Sequence, residues 1–134
     1  MNFAENTLWS MACCGETEKL KRVITTNESV NANTRIQSSF EDRKISLIMG
    51  AYRNRNFDTV EILIANGGTV ENHEIEEITP YINTKRIDIM ESIIYVLMKP
   101  AECDEAADFK DKCLSEYMNQ LNTYTRIIEP SKEN

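Results

Sequence analysis

The sequence predicts an all-α fold, an α-solenoid of helix-turn-helix units with a C-terminal capping helix. Two apolar segments, 46–52 and 57–64, follow one another in the middle of the chain and end at Gly67-Gly68, a pair that suits a helix C-terminus. Weaker copies of this pattern lie on each side of it. A unit this small cannot bury its own apolar face, so it is expected to stack on its neighbours.

The central unit shows the helical pattern most clearly. Ile48, Ala51 and Tyr52 share one face of a first helix, and apolar residues recur at spacings of three and four through 57–64. Between them the polar residues 54–56 predict a turn. The pattern therefore indicates two short helices joined by a tight connection.

This order resembles an ankyrin repeat. The matching segments are 46–49 for the opening tetrapeptide, 51–52 for the alanine pair, 60–64 for the second helix and 66–70 for the ending. Leu47 stands where the family usually has proline, and Arg55 stands where it usually has glycine. A first copy, with Trp9 at the family's histidine position, ends at Val30-Asn31-Ala32.

The resemblance covers residues 5–98 and implies about three degenerate repeats in a single domain, 1–134. A third copy runs from Ile78 to Ile82 and then through Ile87, Met90, Ile93 and Ile94. The expected segments are repeat 1 (1–32), an inserted loop (33–44), repeat 2 (45–70), repeat 3 (71–99), a C-terminal capping helix (101–128) and a tail (129–134). The apolar block 93–98 predicts a buried helix, and the insertion is expected to be too polar to join the core.

Residues 104–128 predict a long amphipathic helix, because one stripe of it is apolar. The stripe comprises Ala106, Phe109, Cys113, Tyr117, Leu121, Tyr124 and Ile128. Capping of the repeat stack is one interpretation of this stripe. Binding a partner or a second copy is the other.

Charge is unevenly distributed along the chain, whose net charge is −7. Residues 1–70 hold eight basic and eight acidic side chains, whereas residues 71–134 hold seven basic and fourteen acidic ones. Phosphates repel an acidic surface, so direct nucleic-acid binding is disfavoured and a protein partner with a basic surface is favoured. The alternative is an acidic surface that only confers solubility. No apolar run approaches membrane-spanning length, and a cytoplasmic location is expected.

Nothing in the sequence points to catalysis, a metal or a cofactor. The four cysteines do not form a disulfide or zinc pattern, and none of the four glycines opens a phosphate-binding loop. The only histidine, His73, lies in the charged linker 71–74, which is expected to face water. Glu74, Glu76 and Glu77 are interpreted as a solvated acidic turn.

The remaining candidates are surface residues. Ankyrin arrays usually bind proteins through turn tips and first helices, which the resemblance carries onto Trp9, Tyr52, Arg53, Arg55 and Tyr81. Packing between repeats is the alternative for Trp9. The inserted loop adds Arg35, Phe40 and Arg43, although a loop without function is equally consistent with the sequence. The acidic half adds Glu74, Glu76, Glu77, Asp104, Glu105 and Asp108.

The sequence thus predicts a non-enzymatic protein-binding module. It would act as a stoichiometric inhibitor, an immunity protein or an anti-host or anti-defence protein that occupies a partner with a basic surface, such as a nucleic-acid-binding protein. A monomer is favoured. The alternative is an adaptor or scaffold that bridges partners or self-associates through 104–128.

Overall fold

The computed structural model describes residues 3–26, 30–37 and 42–129 of the 134-residue chain. These residues form six α-helices and one pair of short strands, in agreement with the predicted all-α class. The helices are α1 (Phe3–Cys14), α2 (Thr17–Thr26), α3 (Leu47–Arg53), α4 (Phe57–Ala65), α5 (Ile75–Met98) and α6 (Asp104–Ile128); the strands are β1 (Arg35–Gln37) and β2 (Lys44–Ser46). The chain forms two compact units, Met1–Ile78 and Thr79–Asn134.

In the first unit, helices pair and the pairs pack on each other. α1 packs against α2 and α3 against α4, while α1 also packs on α3 and α2 on α4. Fully buried side chains from these helices form the core, namely Leu8, Ala12, Leu20, Leu47, Ile48, Met49, Val60 and Leu63. The two helices predicted for the central unit are confirmed, while the wider solenoid arrangement stays a prediction.

Local signals explain where these helices begin and end. The hydroxyl of Ser46 accepts the amide hydrogen of Met49 at 3.1 Å and so caps the start of α3. After α4, the backbone turns at Gly67, which has a φ of 86°, a conformation that favours glycine. The amide of Gly68 then donates to the Leu63 carbonyl at 2.8 Å, closing the C-terminus of α4.

The segment predicted as an inserted loop, 33–44, contains a strand. β1 and β2 pair antiparallel with Ile36 opposite Ile45, and both side chains are buried. The expectation that this segment is too polar to join the core is therefore wrong at Ile36. Alternate side chains of a strand face opposite ways, so the single apolar residue between Arg35 and Gln37 can turn inward.

α5 differs from the third copy that the resemblance implies, because it is one uninterrupted helix of 24 residues. Residues 83–86 contain neither glycine nor proline, so nothing stops the helix there. Pro80 lies inside α5 and removes one hydrogen bond, to the carbonyl of Glu76. The block 93–98 is helical up to Met98, as predicted. The prediction that it is buried is wrong, since Tyr95 and Met98 are 61% and 79% exposed.

α6 has the bounds that its sequence pattern predicts. The sulfur of Cys103 accepts the amide hydrogen of Ala106 at 3.4 Å, which caps its first turn. The apolar stripe is half-buried from Cys113 onward, whereas Phe109 is 69% exposed. The capping role of α6 stays a prediction. None of the described helices combines the length and the apolar character needed to cross a bilayer.

Candidate functional site

A shallow groove lies where the turns of the two helix pairs meet in the first unit. Its volume is about 270 Å³. We call it the turn groove; it is lined by Gly15, Thr17, Arg55, Asn56, Phe57, Asp58 and Thr59. These residues belong to the α1–α2 turn, the α3–α4 turn and the helix starts that follow them.

The base of the turn groove is held by hydrogen bonds between the two turns. The Asn56 side chain donates from Nδ2 to the carbonyls of Ala12 and Cys13, at 3.3 and 2.8 Å. These carbonyls lie in the last turn of α1, where helix carbonyls need partners from outside the helix. The hydroxyls of Thr17 and Thr59 lie 2.7 Å apart and link the first turns of α2 and α4. The two turns are therefore fixed relative to each other.

Close packing also fixes the first turn. Gly15 has a φ of 74°, and a Cβ atom built on it would lie 2.8 Å from the Asn56 Oδ1 atom. Any larger residue would meet both a strained backbone and the Asn56 side chain.

Arg55 occupies the equivalent place in the second turn, and its backbone is strained. Its φ is 61°, and it is the one non-glycine residue with positive φ among the described residues. This left-handed conformation costs a non-glycine residue about 1–2 kcal/mol. The amide of Arg55 donates to the Tyr52 carbonyl at 3.0 Å, which closes the turn. The exposed side chain of Arg55 has no hydrogen bond or ion pair within the described part of the chain.

An aromatic pair flanks Arg55. The rings of Tyr52 and Phe57 meet edge to face, with centroids 6.2 Å apart and planes inclined by 64°. Phe57 remains 43% exposed, and Tyr52 is half-buried. The turn groove thus presents an unpaired guanidinium and an exposed aromatic ring on a rigid base. Such groups are common at protein interfaces because they bring large contact area with few rotatable bonds to order.

Two other predicted residues of the first unit make internal contacts. Trp9 is half-buried, and its ring lies so close to Gly50 that a Cβ atom there would be 2.7 Å from Trp9 Cζ3. Arg53 forms a bidentate ion pair with Glu77: its Nε donates to Oε2 at 3.0 Å and its Nη2 donates to Oε1 at 2.9 Å. The hydrogen bonds from Arg53 lower the pKa of the Glu77 carboxyl, because they favour its charged form.

Arg35 is also held within the first unit. Its Nε donates to Glu71 Oε1 at 2.9 Å, and its Nη1 and Nη2 donate to the carbonyl and hydroxyl oxygens of Thr69 at 3.0 and 2.9 Å. Arg35 therefore ties β1 to the segment after α4. Arg43 is exposed. Phe40 lies outside the described residues.

The linker 71–74 was predicted to face water, and Asn72 and His73 are exposed, but Glu74 is not. Glu74 is fully buried, and its carboxylate accepts the backbone amide hydrogens of Ser46 at 3.1 Å and Glu71 at 2.8 Å. Burial of a carboxylate is tolerated where such bonds satisfy it. The ring of His73 is bonded through Nε2 to the Lys44 carbonyl at 3.0 Å. The expected solvated turn is therefore wrong at Glu74, whereas Glu76 and Glu77 are exposed.

The predicted residues of the second unit lie on α5 and α6. Tyr81 is half-buried, with the Nζ atom of Lys85 5.6 Å from its ring centroid. Asp104, Glu105 and Asp108 are exposed in the first two turns of α6. Negative charge there is favourable because the amino end of a helix carries partial positive charge.

The described residues contain no group of three or more histidine, cysteine, aspartate and glutamate side chains that could hold a metal ion. Burial, and to a lesser degree the neighbouring Cys14, raise the pKa of the Cys13 thiol, which keeps it in the unreactive protonated form.

Sequence reasoning assigned Phe57 to the helix core and left out Asn56. The signal that could have found them is Arg55 itself, an arginine where the repeat pattern has its turn glycine. No protein-family model, curated protein or solved structure matches the chain.

Proposed function

We propose that this chain is a non-enzymatic, ankyrin-type protein-binding module that occupies a partner protein stoichiometrically, as an inhibitor, immunity or anti-host protein does. The observation that carries the proposal is the strained backbone of Arg55 in the turn groove. A left-handed arginine lowers stability where glycine would be free of strain, and such a conformation is typical of functional positions. The cost is understandable if the exposed guanidinium contacts a partner.

Charge supports a partner with a basic surface. Every acidic side chain in the described part of the second unit is exposed: Asp88, Glu91, Glu102, Asp104, Glu105, Asp108, Asp111, Glu116 and Glu129. Of its six basic side chains, Lys85, Arg86 and Lys110 are half-buried. Such a surface accelerates encounter with a positively charged protein, and the effect weakens as salt rises.

The experiment is affinity capture with the immobilised chain, followed by mass spectrometry and by titration calorimetry with the purified partner. A partner bound at one-to-one stoichiometry is expected, and Arg55→Ala or Phe57→Ser should weaken its binding about tenfold or more, as interface hot spots do. Arg22→Ala is the matched control, since Arg22 is equally exposed but lies on α2 outside the turn groove.

A double variant, Asp104→Lys with Asp108→Lys, tests whether the acidic surface attracts the partner. It should slow association and reduce the salt dependence of the association rate, with a smaller effect on the dissociation rate. Unchanged affinity in both turn-groove variants would contradict binding through the turn groove. Turnover of any captured small molecule or protein would contradict the non-enzymatic assignment.

A further inference from the structure

One face of α5 is apolar and exposed. We call it the α5 apolar face, and it consists of Ile87, Met90, Ile94 and Leu97, which are 51%, 40%, 54% and 56% exposed. Ile82 and Ile89, on another side of the same helix, are buried. α5 therefore has apolar side chains beyond those that the chain itself buries.

The spacing of the α5 apolar face is that of a helix-pairing seam. Its residues follow one another at intervals of three, four and three, which is the a-d-a-d pattern of two heptads. Exposed apolar residues occur singly on most proteins, but a contiguous row along one helix marks an interaction surface. Met98, 79% exposed, extends the row at its carboxyl end.

The flanking charges indicate which helix fits. With Ile87 at position a, Arg86 takes position g and Glu91 the following position e. In a parallel pair of identical helices, g of one chain faces the next e of the other, so Arg86 would meet Glu91 of the second copy twice by symmetry. In an antiparallel pair, e faces e and g faces g, which brings like charges together.

Neither flanking residue forms an ion pair within the described residues. Glu91 is exposed. Arg86 is half-buried; its Nη1 donates to Asn83 Oδ1 at 3.2 Å, and its Nε, which is buried, has no hydrogen-bond partner in the described part of the chain. From this pattern we infer that the α5 apolar face binds the same face of a second copy of this chain, with the two α5 helices parallel.

The length of the seam sets the strength of the association. From Ile87 to Leu97 an α-helix rises about 15 Å, at about 1.5 Å per residue. Two heptads bury less area than a standard stable interface, so the dimer is expected to form in the micromolar range or above. This self-association is independent of the turn groove, which lies in the other unit.

The test is sedimentation velocity of the full chain from about 5 µM to 1 mM, a range that brackets weak protein interfaces. The mass is expected to rise with concentration toward that of two chains. Ile94→Glu or Leu97→Glu should raise the dissociation constant at least about tenfold, because a charge in the seam loses its water. Met118→Glu is the matched control: Met118 is 47% exposed on α6.

Charge and cross-linking variants test the parallel orientation. Arg86→Glu should weaken the dimer, and the swap Arg86→Glu with Glu91→Arg should restore it. Ile94→Cys, with the exposed Cys14 and Cys103 replaced by serine, should form a disulfide between identical positions only if the helices are parallel. Circular dichroism establishes that each variant is folded.

A monomer at every concentration would overturn the inference. So would a dimer that still forms in both Ile94→Glu and Leu97→Glu. Association abolished by Met118→Glu alone would assign it to α6 instead. Failure of these experiments leaves the proposed binding through the turn groove intact, because Arg55→Ala and Phe57→Ser change no residue of the seam.

Discussion

The buried carboxylate of Glu74 accepts the amide hydrogen of Ser46 at 3.1 Å and so joins the residue that caps α3 to the turn that precedes α5. The other carboxylate oxygen accepts the amide hydrogen of Glu71 at 2.8 Å. One side chain therefore satisfies two backbone donors from segments that are far apart in sequence.

Replacing Glu74 by alanine should destabilise the protein strongly. Both amides would lose their acceptor, and the Ser46 amide, which is buried, would be left unsatisfied at a cost of about 1–3 kcal/mol. Glu74→Gln keeps the shape and one acceptor oxygen, so it should cost less than Glu74→Ala. Urea unfolding followed by circular dichroism measures both. Glu76→Ala, at an exposed neighbouring position, is the control and should change stability by less than about 0.5 kcal/mol.

Gly50→Ala tests the packing of α1 on α3. The new Cβ would lie 2.7 Å from the Trp9 ring, so the ring or the helix must shift. We expect the free energy of unfolding to fall by about 1–3 kcal/mol, as it does in other overpacked cores. Without this clash, alanine in place of glycine would stabilise the helix. Trp9 is the only tryptophan, so its emission reports the shift directly.

The loss of stability caused by Gly50→Ala should be smaller when Trp9 is replaced by leucine, because the smaller side chain leaves room for the added methyl group. Such a coupling between the two substitutions is expected of residues in contact. A Gly50→Ala variant that is more stable than the parent would show that the Trp9 ring yields without cost.

Elements with local signals were predictable from the sequence. The polar turn 54–56, Gly67 and the apolar spacing of α3 and α4 lie within one short segment, and the structure places two helices there. The buried role of Glu74 was not predictable, because its partner Ser46 lies 28 residues away in sequence. The bond from the Glu71 amide is local, three residues away, but a carboxylate in a charged linker gives no sign that the distant Ser46 amide will also bond to it.

The site was predictable only in part, for the same reason. Arg55, which stands where the ankyrin pattern usually has glycine, was among the predicted contact residues, but its groove neighbours Asn56 and Phe57 were not. Arg35 and Arg53 carry the same charge but form ion pairs within the chain, with Glu71 and Glu77. Residue type alone cannot distinguish an arginine that binds its own chain from one, such as Arg55, whose side chain stays exposed.

Arg55→Gly should stabilise the protein. Glycine removes the left-handed strain of about 1–2 kcal/mol and adds unfolded-state entropy worth about 0.5–1 kcal/mol, so a net gain of about 0.5–1 kcal/mol is expected. Thermal and urea unfolding measure the change. Arg22→Gly on α2 is the matched control and should lower stability by about 1 kcal/mol, as glycine does inside a helix. A loss of stability in Arg55→Gly as well would show that the backbone of Arg55 is not strained.

The Arg53–Glu77 pair should make stability depend on pH. Because the folded-state pKa of Glu77 is lowered, its contribution is fully present above the ordinary glutamate pKa of about 4.3 and is lost as pH falls through the lowered value. Both side chains are partly exposed, 37% for Arg53 and 45% for Glu77, so the pair is expected to contribute about 0.2–1 kcal/mol at neutral pH. Comparison of the unfolding free energy of Glu77→Gln with that of the parent at pH 7 and pH 3 measures this contribution. The difference should shrink at pH 3 and in high salt, whereas for Glu76→Gln it should stay near zero throughout. A difference that grows on acidification would mean that the folded state favours the protonated carboxyl, which is the opposite of what two hydrogen bonds from a guanidinium produce.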